Sequence, residues 1–455
     1  MLLYACRQFK YSWKVWFFAL PIFITCSFVI NLCLTNFFNF TSSNLVNNDM
    51  LTNTQLFFIP IIFGSIMIPI VLKNTVKEML NGLREQNNLQ IILGMNPESL
   101  AFLSGVELSI ASAAGATVGS VMSTPFAQSF YNFLVSIQGG QEFPPMAISF
   151  SFKSFILTLL IITITTLYSG YVRSRRTFYK IQKNIENTTI KSIDKDKYSY
   201  FIFFFILFFN IALIIWFMSL LPEKLGINTF AFFSTSLILL EIIAISLLTN
   251  VGGKILILTA AKIFNKISTK FKLPLLNLAT YTVSDNYDIF KKIYIPVAII
   301  NIFVSGFSSL LIDLPDGGDA GTRISNMVIF LGAPLLVTLA NTVCMMLLLQ
   351  QREISEIRQL FILGLRPLDI FLKKEFEIFI YSLTTLVMSL TANFILSLMF
   401  IRITQLFNKN MIWINIWLPS LLLSLAIFVL MSIVTMIKIK DTKWDTLEFN
   451  LDTDS

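Results

Sequence analysis

Long apolar runs, broken by short polar or charged stretches, set the pattern of this chain. They fall at about 15–35, 56–73, 101–136, 150–172, 200–220, 230–249, 292–312, 326–350, 376–401 and 412–437. A helix of roughly 18 or more apolar residues crosses the hydrocarbon core of a bilayer. Lipid offers the backbone no hydrogen bonds, so a spanning segment must be a helix or part of a closed barrel. The runs are continuous rather than alternating, which selects helices. The pattern predicts an all-α integral membrane protein with about ten transmembrane helices.

Charge is shared unevenly between the runs. Ten spans put both ends of the chain on one side. If that side is the cytoplasm, the segments 1–14, 73–100, 173–199, 251–292, 351–375 and 438–455 hold 29 of the 34 basic residues, leaving Lys153, Lys224, Arg323, Arg402 and Lys409 elsewhere. Cytoplasmic loops carry the excess of Lys and Arg, so the N- and C-termini are expected in the cytoplasm. The same bias accounts for the net charge of +8 through contact with anionic lipid headgroups. It calls for no nucleic-acid partner. The external loops 35–54 and 313–326 are too short to fold as domains.

Composition narrows the chemistry further. The 455 residues are 55% hydrophobic and 13% charged, with a mean hydropathy of +0.74. There is no histidine, which argues against His-based acid–base catalysis and Ser–His triads. Cys6, Cys26, Cys33 and Cys344 fit neither a metal spacing nor a disulfide framework, and no metal site is expected. The first apolar stretch lacks a small-x-small cleavage site and reads as a retained span rather than a signal peptide.

One charged segment occurs twice. "ILGMNP" at 92–97 returns as "ILGLRP" at 362–367, an offset of 270. Ten residues after Pro97 and Pro367 stand Glu107 and Glu377. Before each glycine runs an amphipathic stripe: Val76, Met79, Leu80 and Leu83 in the first copy, Ile354, Ile357, Phe361 and Leu365 in the second. Gly94 and Gly364 suit the left-handed backbone that ends a helix, and Pro97 and Pro367 suit the first turn of the next. Each copy thus predicts a surface-lying helix that breaks and turns up into a span, offering a knob to a cytoplasmic partner. Residues 1–172 and 272–437 share the same order of parts, which reads as an internal duplication of the kind transporter folds carry. The domains expected are a first four-span module (1–172), a charged linker with a two-span insert (173–253), a second module with an interfacial lead-in helix (254–437), and a tail (438–455).

These features resemble the FtsX-like permeases of ABC transporters, including the MacB-like and BceB-like exporters. The stretch "SEIRQLFILGLRPLDIFLKKEFEIFI" (355–380) and the stretch 85–119, with Gly115 and Gly119 following Glu107, carry the likeness. The second copy has Thr385 and Ser389 in place of those glycines. The ten-span arrangement is most similar to the BceB-like branch, without the large extracellular domain between spans seven and eight. The resemblance implies two FtsX-like four-helix modules around a two-helix insert. It implies a permease subunit of the bacterial cell membrane that is not itself an enzyme and holds no cofactor. ATP-Mg would be bound by cytoplasmic ABC ATPase subunits, two copies per permease chain. Their coupling sites would include Arg84, Glu85, Gly94, Pro97, Arg352, Glu356, Arg358, Gly364 and Pro367. The implied activity is expulsion of an amphiphile: an antimicrobial peptide, a lipopeptide or a lipid-like molecule. The alternative is a mechanotransmitting membrane protein that acts on an extracellular partner and transports nothing. This chain has no G-x-x-x-x-G-K-[ST] pattern of its own.

Polar residues inside the spans complete the candidates. An acid at mid-span costs roughly 3 kcal/mol to insert and is usually functional or paired. Glu241 is such an acid, and a hydrogen bond to Asn210 at similar depth is the preferred reading; a substrate or proton role is the alternative. Glu107 and Glu377, nearer the cytoplasmic ends, are expected to cap helices or pair with basic loops. Ala111, Gly115, Gly119 and Ser123 recur every four residues, a face that lets helices approach closely in lipid.

Overall fold

The computed structural model describes residues 2–43, 89–92, 94–138, 146–186, 195–219, 227–313, 320–406 and 414–441, with short pieces between 57 and 79. Among the described residues ten helices can be traced end to end. They are α1 (Leu2–Ser42), α2 (Pro97–Gln138), α3 (Phe152–Glu186), α4 (Lys195–Ser219), α5 (Ile227–Phe271), α6 (Pro274–Asp285), α7 (Tyr287–Asp313), α8 (Ala320–Ile362), α9 (Pro367–Leu406) and α10 (Ile414–Asp441). Eight of them contain stretches long and apolar enough to cross a membrane: α1 to α5, α7, α9 and α10. Among the described residues of α8 the apolar stretch is Leu331–Met345. Of the expected span at 56–73, only residues 57, 58, 60 and 61 are described. The protein is an all-helical, multi-pass membrane protein.

The helices outrun the apolar runs that seed them. At 1.5 Å per residue, the 41 residues of α1 and the 45 of α5 reach roughly 60 and 70 Å, about twice the hydrocarbon thickness. Helix α3 continues from its apolar span through the basic stretch to Glu186, so the first half of the charged linker is helix. The expected lead-in before span seven is α6, which follows α5 after a two-residue break and buries Leu276, Ala279, Thr280 and Val283.

The chain divides into two compact units. One comprises residues 1–193 and 318–351, the other 194–317 and 352–455. In the first, α1, α2 and α3 pack mutually. In the second, α7, α9 and α10 form a mutually packed trio, α5 lies against α7 and α9, and α4 against α5.

Both trios are tied by buried hydrogen bonds at matching positions. In the first, Asn31 Nδ2 of α1 donates to Ser120 O (3.0 Å) and Ser123 Oγ (2.7 Å) of α2, and Thr158 Oγ1 of α3 donates to Asn31 Oδ1 (3.4 Å). Thr35 Oγ1 and Ser154 Oγ lie 2.7 Å apart. In the second, Asn301 Nδ2 of α7 donates to Ser389 Oγ of α9 (3.2 Å). Asn393 Nδ2 donates to Ser305 Oγ (2.9 Å) and to Ser420 Oγ of α10 (2.7 Å). Asn31 and Asn301, Thr35 and Ser305, and Ser123 and Asn393 are each 270 residues apart, the offset of the two glycine-proline segments. Hydrogen bonds between helices are part of what holds them together in lipid, where hydrophobic attraction is weak.

Candidate functional site

The two glycine-proline segments fold alike. Gly94 has φ +87° and Gly364 φ +86°. Met95 N donates to Gln90 O and Gly94 N to Ile91 O; Leu365 N donates to Leu360 O and Gly364 N to Phe361 O. In each copy these are the paired bonds of a Schellman helix end. A side chain at either glycine would meet no neighbour; the left-handed backbone alone disfavours one, by about 1–2 kcal/mol. Pro97 and Pro367 then open α2 and α9 at a position that needs no N–H donor. Glu98 N donates to Asn96 Oδ1 (3.1 Å) at the start of α2. At the start of α9 the side chain works in reverse, and Arg366 N donates to Asp369 Oδ2 (3.3 Å). Each segment is an elbow fixed by its own backbone.

The second elbow stands on a closed ring of charge. Lys373 pairs with Glu356 and lies 3.0 Å from Glu377. Lys374 lies 3.2 Å from Glu356 and 3.0 Å from Glu377. Two cations and two anions thus alternate around a square, and the Lys373 side chain is 2% exposed. Glu356 comes from the last turns of α8 and the other three from α9, so the ring clamps the two arms of the elbow. Beside it Ile357, Leu360 and Ile370 are buried together with Leu278 of α6 against them. Burial alone would raise the Glu356 carboxyl, but Lys374 and then Lys373 outweigh it and hold the group below its usual 4.5. A carboxyl depressed in the folded state stabilises above its unfolded pKa and ceases to as pH falls through the depressed value. The contribution of Glu356 is therefore expected to be complete above about pH 5 and to decline progressively below about pH 4. Unfolding midpoints measured across that range check this, and Glu356→Gln should flatten the acid limb.

Each elbow turns large apolar side chains outward among polar ones. Leu89 and Ile92 are exposed at the first, and Ile362, Leu363 and Leu368 at the second; Ile92 is 72% and Leu363 76% accessible. Ile92 and Ile362 are repeat-equivalent. Arg358 and Arg366 are also exposed. Glu356, by contrast, turns its carboxylate inward to the lysines. Arg84 and Glu85 lie outside the described residues, as does the side chain of Arg352. Near the first elbow, Arg175 of α3 donates to Glu98 Oε1 at 2.8 Å, and Tyr179 OH donates to the same oxygen at 3.1 Å.

The intramembrane polar residues divide by environment. Glu377 belongs to the ring. Glu107, its counterpart in the repeat, is buried, and among the described residues its Oε1 has no hydrogen-bond partner. Leu103 and Ser104 stand where the second copy has Lys373 and Lys374, so those two positions offer Glu107 no cation. Glu241 of α5 is fully buried, and among the described residues neither carboxylate oxygen has a partner. The expected bond to Asn210 is not made. Asn210 Nδ2 donates to Ile206 O of its own helix at 2.7 Å, because similar depth in two helices does not bring their polar faces together.

Along α2, Ala111 and Ser123 are buried, and a side chain at Gly115 or Gly119 would strike Phe23, Ile24 or Ser27 of α1. Sequence reasoning did not single out Lys373, Lys374, Asn31, Asn301 or Asn393. The signals available were two lysines three and four residues before Glu377, and an asparagine recurring at the 270-residue offset. Between α9 and α10 runs an apolar groove of about 340 Å³ lined by Phe379, Leu383, Leu386, Leu421, Leu425 and Phe428, with Ser382 and Ser424 at its wall. Comparison with protein-family models, curated proteins and solved structures gives no match for this chain.

Proposed function

We propose that this chain is the permease subunit of an ABC transporter, with both elbows receiving cytoplasmic ATPase subunits and the bundle expelling an amphiphile. The observation that carries this reading is the repeated elbow: two Schellman turns of the same geometry, each followed by a proline-started span and each presenting exposed apolar residues. A rigid bracket with an apolar tip transmits force to the span it continues into, whereas a flexible loop would absorb it. The ATPase chemistry and its ATP-Mg reside on the partner. The membrane is a bacterial plasma membrane, with the elbows and both termini on its cytoplasmic face. The groove between α9 and α10 offers the amphiphile's chain an apolar lining. The mechanotransmitting alternative uses the same elbows and differs only in its output.

The test places a negative charge on the apolar tip of each elbow. Ile92→Asp combined with Leu363→Asp is expected to lose at least about tenfold of the ATPase subunit co-purified with the full chain. The burial of two large aliphatic side chains, about 1.5–3 kcal/mol each, sets that scale. ATP-driven efflux from vesicles should disappear with it. Undiminished ATPase capture by the double variant removes the proposal. Capture by the unaltered chain with no efflux of any amphiphile selects mechanotransmission.

A further inference from the structure

The last three turns of α5 carry a second surface that the elbows do not use. Lys262, Lys266 and Lys270 follow one another at four-residue spacing, all exposed, with Ile263, Ile267 and Phe271 exposed in the adjoining row. No acidic residue occurs between Glu241 and Asp285. Among the described residues, none of the three lysines has an acidic partner; Lys270 lies 5.9 Å from the Phe271 ring centroid. A row of lysines beside a row of large apolar side chains is the pattern of a helix seated at a membrane surface.

Two further observations fit an anionic lipid as the occupant. The stretch of α5 that contains its apolar span runs from Ser236 to Phe271, 36 residues or roughly 54 Å, against a hydrocarbon core of about 30 Å. Its lysine-bearing end therefore emerges from the core through headgroups. That end is also the elbow end of its unit, because α6, which follows it, sets Leu278 against Ile357, Leu360 and Ile370. The helix also closes with a lysine where the other two Schellman turns use glycine. Lys272 has φ +52°, and Leu273 N donates to Ser268 O. A left-handed lysine is strained, so a fourth positive charge is kept where glycine would fold more easily.

We propose that Lys262, Lys266 and Lys270, with Lys272 at the helix end, bind the phosphate headgroups of anionic phospholipid, while Ile263, Ile267 and Phe271 lie among the adjoining acyl chains. This surface is separate from the elbow tips and does not depend on what they engage. The experiment is native mass spectrometry of the full-length protein in detergent with added dioleoyl phosphatidylglycerol or dioleoyl phosphatidylcholine. The unaltered protein is expected to retain phosphatidylglycerol preferentially. The variant K262Q/K266Q/K270Q should lose that preference by at least about tenfold, from about fivefold per lysine near a charged surface. The matching lysine-to-arginine variant should keep it, which separates loss of charge from loss of fold. No preference in the unaltered protein, or full preference in the glutamine variant, overturns the proposal. An arginine variant that loses the preference while keeping the unaltered unfolding midpoint overturns it too. If the glutamine variant loses a captured acidic protein while its lipid profile stays unaltered, the surface belongs to a protein partner and the lipid assignment is wrong.

Discussion

Lys373→Met is expected to destabilise the protein by about 3–5 kcal/mol, the usual cost of stranding one charge of a buried ion pair. Methionine keeps most of the lysine stem, so the variant removes charge more than volume. Glu356 and Glu377 would then share Lys374 alone, leaving one uncompensated anion beside a side chain that is now 2% exposed. Denaturant unfolding of the full chain in detergent gives the number. The companion variant Lys373→Met with Glu377→Gln should recover much of the loss, because Lys374 and Glu356 remain as a balanced pair 3.2 Å apart. A double-mutant cycle over the two positions isolates the coupling. Replacing all four residues by apolar ones of similar volume should be close to neutral, since desolvating four charges offsets most of what their attraction returns. In the proposed reading such a protein folds yet transmits poorly, because the clamp between α8 and α9 is gone. A single Lys373→Met with unchanged midpoint would mean the ring contributes nothing to the elbow.

The sequence made the helices and the elbows legible for different physical reasons. Spans announce themselves because lipid demands unbroken apolar length, and α7, α9 and α10 lie where the apolar runs place them. Elbows announce themselves because a left-handed helix end favours glycine and a helix start tolerates proline, so Gly94, Pro97, Gly364 and Pro367 carry their geometry locally. The charge ring was hidden because its decisive contact joins Glu356 to lysines 17 and 18 residues later across a turn. Along the chain alone, Glu356 reads as one more exposed helix charge, and Lys373 and Lys374 as loop cations. Asn31 and Asn301 were hidden in another way: a lone asparagine barely lowers the hydropathy of a span. Their role appears only when α1 meets α2 and α7 meets α9. Glu241 and Asn210 mark the limit of reading depth from sequence, since rotation about each helix axis is set by packing.

The close contact of α1 and α2 supplies the second large effect. Gly119→Leu is expected to cost about 3 kcal/mol or more, the upper end of overpacking a closed interior. Even a Cβ at Gly119 would collide with Ile24 O and Ser27 Oγ of α1; the serine can rotate, but the backbone carbonyl cannot yield without moving the helix. Displacing α1 would also stretch Asn31 away from Ser120 O and Ser123 Oγ, coupling the steric cost to lost hydrogen bonds. The unfolding midpoint reports the sum. Gly119→Ser refines the point. The repeat-equivalent residue in α9 is Ser389, which accepts from Asn301, yet serine should still destabilise the first trio. The residue facing that site in α1 is Ser27, which itself donates to Ile24 O and occupies the space a second hydroxyl would need. If Gly119→Leu leaves the midpoint unmoved, α1 and α2 do not meet on this face. If serine is neutral while leucine is costly, the two trios tolerate each other's side chains at this crossing, and bulk rather than the lack of a Cβ sets the limit.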